Sequence, residues 1–189
     1  MAKNRMLAPG IATLPKPPVL SSRFAAIDFE TADYGRDSAC SLAVVLVDGT
    51  EIVEQHYYLI RPPRPRFEFT YIHGITWQHV AAKPSFRELW PEIEAKFAGV
   101  EFVAAHNASF DRGVLAACCA AGLLPAPSFK FQCTVSLARR AWNLKPARLP
   151  DVCRHLKLPL KHHDAASDAL ACANIVLAAR RAGISLKPK

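Results

Sequence analysis

The sequence lacks the features that identify several large classes of protein. Its 189 residues contain no apolar run of 18 or more, so no membrane-spanning helix is predicted. Its six cysteines form no C-x-x-C pair and no Cys/His spacing typical of zinc, and we expect reduced thiols. No apolar segment follows the first basic residues, so no export signal is predicted and the cytoplasm is the expected location.

Acidic residues are missing from both ends of the chain. Four of the 24 basic residues lie within 1–23 and four within 180–189, which leaves 16 basic and 16 acidic residues between them. The net charge of +8 is therefore a property of the two ends. Basic ends can hold phosphates without sequence preference, and they can equally serve only as solubilising tails.

The composition, 51% hydrophobic and 21% charged, is that of a packed globular chain. Residues 1–22 are Pro-rich and lack periodicity, which predicts a disordered basic extension. Residues 23–183 are predicted to form a single domain, and 184–189 a short basic tail.

The order of predicted elements indicates an α/β fold. Strands are predicted at 23–31, 40–47, 51–60, 101–105 and 129–133, and helices at 86–97, 109–121, 135–141, 149–156 and 165–182. The turn Asp48-Gly49 joins the second and third strands as a hairpin. Three antiparallel strands followed by strand–helix alternation predict one mixed sheet.

Two acidic residues stand at the end of the first predicted strand. Asp28 and Glu30 are two positions apart, so their side chains leave the same face of the sheet. Neighbouring carboxylates repel each other, and hard divalent cations with oxygen ligands would compensate that repulsion. A D-x-E pair also occurs on ordinary surface strands, so the pair alone is weak evidence.

Two further acidic groups follow other elements. Asp111, in His106-Asn107-Ala108-Ser109-Phe110-Asp111, falls in the first turns of a helix, where an acid also stabilises the helix dipole. His163 and Asp168 are five positions apart and cannot share a helix face. If both act at one site, His163 must lie in the loop before the last helix, although a solvated loop histidine is also possible.

Taken in order, these segments form the pattern D-x-E, H-N-x-x-F-D and H-x-A-x-x-D-A. The pattern resembles the DEDDh group of 3′→5′ exonucleases, the DnaQ-like family of the DNA polymerase III epsilon subunit, with RNase T and oligoribonuclease as more distant relatives. The resemblance runs from about residue 23 to residue 182. It implies a ribonuclease H-like fold with a five-stranded sheet in the order 3-2-1-4-5, flanked by helices.

The resemblance implies a two-metal hydrolysis of nucleic acid 3′ ends to nucleoside 5′-monophosphates. Asp28, Glu30, Asp111 and Asp168 match the family's metal-binding acids for two ions, Mg²⁺ or Mn²⁺. Asp28 would bridge both ions, and His163 matches the general base. The expected role is a stand-alone exonuclease in DNA repair or proofreading.

Several residues are expected to touch substrate. Glu68 and His73 match a pair that contacts the terminal nucleotide in the family. Phe29, Phe69 and Phe110 are candidates for stacking on bases or simply for the core. Further candidates are residues of the matched segments and arginines of the Pro-rich loop, which otherwise face solvent: Thr31, His106, Asn107, Arg61, Arg64 and Arg66.

Some alternatives stay open at this point. Single-stranded DNA is the favoured substrate, but an RNA-trimming enzyme depends on recognition of the 2′-hydroxyl, and no motif reports it. A non-catalytic nucleic-acid-binding module on the same fold would gain nothing from clustered carboxylates. No polymerase-binding or clamp-binding segment is evident, and the sequence leaves the oligomeric state undetermined.

Overall fold

The computed structural model describes residues 23–189, so the predicted extension at 1–22 lies outside the described residues. The five strands are β1 (Phe24–Thr31), β2 (Ala39–Asp48), β3 (Glu51–Leu59), β4 (Phe102–Ala105) and β5 (Phe131–Cys133). They form one sheet in the order β3-β2-β1-β4-β5, which confirms the predicted order. The pairs β1–β2 and β2–β3 are antiparallel, and β1–β4 and β4–β5 are parallel.

The helices lie between and after the strands. They are α1 (Thr70–His73), α2 (Trp77–Val80), α3 (Phe86–Lys96), α4 (Ser109–Ala121), α5 (Thr134–Trp142), α6 (Leu149–Leu156) and α7 (Ala165–Arg181). The four-residue helices α1 and α2 were not predicted, because one turn is too short to show a helical period. None of the helices in residues 23–189 is long and apolar enough to cross a membrane.

Helices cover both faces of the sheet, and alternate residues of β1 belong to two different cores. Phe24 and Ala26 pack with apolar residues of α5, α6 and α7, while Ala25, Ile27 and Phe29 pack with those of α3 and α4. This alternation continues past the apolar part of the strand. The side chains of Asp28 and Glu30 therefore leave β1 on the α7 side.

The C-terminal segment 184–189 lies along the outer edge of β5. Phe131 and Lys189 exchange two backbone hydrogen bonds of 2.7 and 3.0 Å. The buried Gln132 side chain accepts a hydrogen bond from the Lys187 backbone N–H at 2.8 Å and donates one to the Cys133 carbonyl. The predicted basic tail is therefore held against the sheet.

Candidate active site

The site lies where the parallel strands β1, β4 and β5 end at one edge of the sheet. An open cavity of about 800 Å³ occupies this edge. Carboxyl ends of parallel strands are the usual ligand-binding edge of α/β sheets. Of the residues predicted from the sequence, the cavity is lined by Asp28, Phe29, Glu30, His106, Asn107, Phe110, Asp111, His163 and Asp168.

The two acids of β1 are placed where their charge is unfavourable. Burial, and then the charges of Asp111, Asp168 and Glu30, raise the pKa of Asp28 well above its ordinary value. Burial, followed by Asp168 and Asp111, raises the pKa of Glu30 to about 8. Without positive charge between them, these carboxylates cannot all remain ionised at neutral pH.

Asp111 reaches the same place from the first turn of α4. It is 1% exposed, and its Oδ1 accepts a hydrogen bond from the Phe29 backbone N–H at 3.1 Å. Burial raises the pKa of Asp111 to about 7, although this hydrogen bond opposes the rise. The contact fixes α4 against the strand that carries Asp28 and Glu30.

Asp168 comes from the first turn of α7, and only one of its carboxylate oxygens has partners within residues 23–189. Its Oδ2 accepts from the His163 backbone N–H and pairs with His162 Nδ1, both at 3.1 Å. Its Oδ1 is buried without a hydrogen-bond partner among the described residues. Buried polar atoms normally have a partner, so a buried carboxylate oxygen without a hydrogen bond is a good candidate ligand for a cation.

The donor set therefore fits divalent metal ions of the hard class. The charges of Asp111 and Asp168 raise the pKa of both Asp28 and Glu30, so this group needs compensating positive charge, and Asp168 Oδ1 has no hydrogen-bond partner among the described residues. The ligand atoms of His162, His163 and Asp168 also lie within 4.8 Å of one another. These three residues line the cavity together with the other acids.

The paired histidines lie in the loop before α7, as the spacing predicts. Asp164 caps α7, its Oδ1 accepting from the Ser167 N–H at 3.1 Å, and this leaves His163 outside the helix with φ of 66°. The rings of His162 and His163 stack at 3.8 Å. Burial and the neighbouring His162 lower the pKa of His163 below its ordinary value, against the charge of Asp168.

The expected stacking role of Phe29 is wrong for its ring. Phe29 is 3% exposed, and its ring packs against Phe86 at 6.4 Å between centroids. The alternation that sends Asp28 and Glu30 toward α7 sends Phe29 into the opposite core. Its backbone N–H nevertheless holds Asp111 at the cavity.

His73 serves the backbone with both ring nitrogens. Its Nδ1 accepts from the Ile75 N–H at 3.0 Å, so Nε2 carries the proton and donates to the Thr31 carbonyl at 3.2 Å. Both ring nitrogens thus have backbone partners, and the side chain is half-buried, so a contact of His73 with the terminal nucleotide stays a prediction. Glu68 pairs with Arg66 at 2.6 Å, and its backbone N–H donates to Ala32.

The Pro-rich loop is less available for phosphates than the sequence suggests. Arg64 contacts Asp33 at 2.6 Å and Asp37 at 2.8 Å, so it fastens this loop to the loop after β1. Arg61 lies 3.5 Å from Glu88. Of the two roles considered for Arg64, holding phosphates or facing solvent, the structure shows neither, because four of its five N–H donors bind the two carboxylates.

The segment after β4 contributes three predicted residues to the cavity. His106 Nδ1 pairs with Thr134 Oγ1 at 2.8 Å, and burial lowers the pKa of His106 to about 4, so its ring is neutral near pH 7. Asn107 has φ of 67°, a conformation that asparagine tolerates well. Phe110 is half-buried and remains a candidate for contacting a base.

Sequence reasoning missed the arginines that line the far side of the cavity. They are Arg139 of α5, Arg148 before α6 and Arg154 of α6. Arg148 and Arg154 pair with Asp151 at 2.8 and 3.3 Å. In the sequence these arginines show only as basic residues within 139–154. Their position opposite the acids follows from the fold, which brings α5 and α6 to the same cavity.

Fold and site together define the class of enzyme. Residues 25–176 match the RNase T exonuclease family, and the chain belongs to that family. Its acids and His163 follow the DEDDh pattern of 3′→5′ exonucleases, and its fold is the ribonuclease H-like fold that the resemblance implies.

Two curated relatives show what kinds of protein share this sequence. Exodeoxyribonuclease 10 of Escherichia coli K12 is 37% identical over 117 residues, 61% of this chain and 47% of that protein. The PolC-type DNA polymerase III of Thermotoga maritima is 30% identical over 158 residues, 82% of this chain and 12% of the polymerase. The chain thus spans less than half the length of either relative.

Solved structures share the architecture. Exonuclease X in complex with 5′ overhanging duplex DNA superposes with a TM-score of 0.70 and 30% identity, covering 86% of this chain and 94% of that one. The nuclease domain of 3′hExo, a DEDDh family member bound to rAMP, gives a TM-score of 0.78 with 18% identity over 90% and 97% of the two chains. At 18% identity, the similarity to the 3′hExo nuclease domain shows a shared fold and nothing more.

Proposed function

We propose that the protein is a metal-dependent exonuclease that removes nucleoside 5′-monophosphates from the 3′ end of single-stranded or frayed DNA. One observation carries the proposal, namely the meeting of four acids from β1, α4 and α7 with His163 at one cavity. The acids are Asp28, Glu30, Asp111 and Asp168.

The acids would hold two divalent cations, Mg²⁺ or Mn²⁺. When bound, such ions would neutralise the negative charge of the phosphodiester. They would also lower the pKa of water, so that hydroxide is available as the nucleophile near neutral pH. The charges of all three other acids act on Asp28, which suits a ligand shared by two ions. Asp168 contributes the buried Oδ1 that has no hydrogen-bond partner within the described residues.

His163 would take the proton of the attacking water. Its lowered pKa keeps the ring neutral near pH 7, so a ring nitrogen is free to accept a proton. The water oxygen forms a bond to phosphorus as the bond from phosphorus to the 3′-oxygen breaks, and that oxygen gains a proton from solvent. The backbone N–H of His163 donates a hydrogen bond to Asp168, and this contact holds the loop that carries His163 next to the acids.

Relatives favour DNA over RNA as the substrate class. Exodeoxyribonuclease 10 is named for acting on DNA, and Exonuclease X was solved with duplex DNA bearing a 5′ overhang. We favour an unpaired end because Asp111 and Asp168 are buried, so the terminal phosphodiester has to enter the cavity to reach them. A role in repair or proofreading predicts faster removal of a mispaired 3′ nucleotide than of a paired one.

Digestion of labelled oligonucleotides tests this function. A 5′-labelled DNA single strand should give a descending ladder with Mg²⁺ or Mn²⁺, and a 3′-labelled strand should give labelled mononucleotide at once. Matched RNA and paired duplexes should be degraded more slowly, and EDTA should stop all turnover. Internal cleavage of a circular strand would contradict the exonuclease assignment, and faster digestion of RNA would contradict the choice of DNA.

A further inference from the structure

A second groove, of about 410 Å³, lies beside the active-site cavity. Its basic lining residues are Arg112, Arg140, Lys187 and Lys189, and no acidic residue lines it. Neighbouring residues in the chain line the two spaces. Val135 and Arg139 of α5 face the cavity, whereas Ser136 and Arg140 of the same helix face the groove. Helix α5 and the segment after β4 therefore form a wall shared by the groove and the active-site cavity.

The fold holds the C-terminal basic residues in this groove. Lys189 is paired with Phe131 through two backbone hydrogen bonds, and Lys187 is held through its backbone N–H by the buried Gln132. Arg140 donates to the Ser185 carbonyl at 2.9 Å. These contacts fix the backbone of both lysines, so their side chains start from fixed positions beside the groove.

These cations differ from most arginines around the site. Arg64, Arg66, Arg148 and Arg154 each contact a carboxylate. Within residues 23–189, none of the four groove cations is in an ion pair. All four are exposed, so their charge is directed at solvent and at any anion that enters. Ser109, the first residue of α4, and Ser136, in the first turn of α5, also line the groove, so the positive ends of two helix dipoles lie beside it.

We propose that this groove binds the sugar–phosphate backbone of the DNA strand whose 3′ end lies in the active-site cavity. The inference rests on the proposed function, since the strand is the substrate of the neighbouring acids. Cations that have no ion pair among residues 23–189, in a groove lined by no acidic side chain, favour a polyanion, and contacts to phosphates carry no sequence preference. The groove would therefore set the affinity for long strands and leave hydrolysis of the terminal bond unchanged.

The decisive variant is the double substitution Lys187→Gln and Lys189→Gln. Its matched control is Lys83→Gln with Arg87→Gln, which removes the same charge from exposed residues at the start of α3. Two substrates separate the sites: a 20-nucleotide DNA strand and the p-nitrophenyl ester of thymidine 5′-monophosphate, which is too short to reach the groove.

The groove variant should raise KM for the 20-nucleotide strand roughly tenfold with unchanged kcat, and should leave both constants for the ester unchanged. The variant Lys187→Arg with Lys189→Arg should restore the affinity. Equal KM values for wild type and the Gln variant, or an equal loss in the control, would overturn the inference.

Failure of the proposed function has a different signature. If wild-type protein hydrolyses neither substrate, the nuclease assignment fails, and binding of a fluorescent 20-nucleotide strand in EDTA still measures the groove. Weaker binding by the Gln variant than by its control then supports the groove, and equal binding overturns it. An equal weakening for a polyglutamate peptide would show a general anion surface and would contradict a DNA site.

Discussion

The carboxylate of Asp28 lies beside Asp111, Asp168 and Glu30, and each of them raises its pKa further. Asp28→Asn should therefore abolish detectable turnover, because the shared ligand is lost, while the metal-free protein melts at the same or a higher temperature. Hydrolysis of the nitrophenyl ester checks the turnover, and calorimetry with and without Mn²⁺ checks the melting temperatures. Metal should stabilise wild type by about 2.7 kcal/mol at 100 times its Kd and stabilise the variant less. Substantial turnover of the variant at saturating Mn²⁺ would contradict the bridging role.

The two adjacent histidines provide an internal comparison. His163→Ala should lower kcat roughly 10²–10⁴-fold, the usual range for loss of a general base. His162→Ala should lower activity by about tenfold, because His162 Nδ1 only holds Asp168 Oδ2 in place. Steady-state rates on the nitrophenyl ester measure both. A larger loss in His162→Ala would show that His162 is the base.

Residue types and spacing identified the acids, but not the direction of every neighbouring side chain. The D-x-E spacing predicts one shared face for Asp28 and Glu30, and the same rule, applied to Phe29, predicts the opposite face where it is found. The hydrogen bonds of His73 could not be foreseen, because Thr31 lies 42 residues away and meets it only in the folded chain.

Among the elements, the loop after β1 depends on one arginine. Asp33 is 5% exposed, and hydrogen bonds from Arg64 hold the pKa of Asp33 and of Asp37 below the ordinary value. Arg64→Met should lower the free energy of unfolding at pH 7 by about 1–3 kcal/mol, since it leaves a buried carboxylate without its partner.

The pH dependence of this effect has a definite sign. Depressed carboxyl pKa values stabilise the folded state above the ordinary value near ~4, and this stability is lost as pH falls through the lowered values. The difference between wild type and Arg64→Met in urea unfolding should therefore shrink between about pH 4 and pH 2. A difference that stays constant over this range would contradict the role of the ion pairs.

All five strands and the five longer helices were predicted, whereas the two single-turn helices were not. The bounds of α4 and α6 match the prediction, and β1 and α7 differ from it by one residue at an end. The single-turn helices α1 and α2 depend on caps and on packing against other segments, which the local pattern does not contain. The docking of 184–189 on β5 likewise depends on Gln132, whose buried amide no periodicity identifies.

For the molecule as a whole, the uneven charge predicts strong dependence of substrate affinity on salt. A single strand neutralised by four cations loses roughly 50-fold in affinity between 50 and 200 mM KCl. Fluorescence anisotropy with the 20-nucleotide strand measures this dependence. KM for the nitrophenyl ester should change by no more than about threefold over the same range, since it carries a single phosphate. A flat salt dependence for the long strand would contradict binding through phosphates.

The segment that runs along β5 also determines how copies of the sheet can meet. Lys189 occupies the outward N–H and C=O groups of Phe131, so β5 does not offer these two groups to a foreign strand. Within the described residues, β3 is the other border, and its only partner strand is β2. A fibril that grows by adding strands requires two open borders in every copy. Edge-to-edge association through this sheet would therefore end at a pair of molecules and could not propagate.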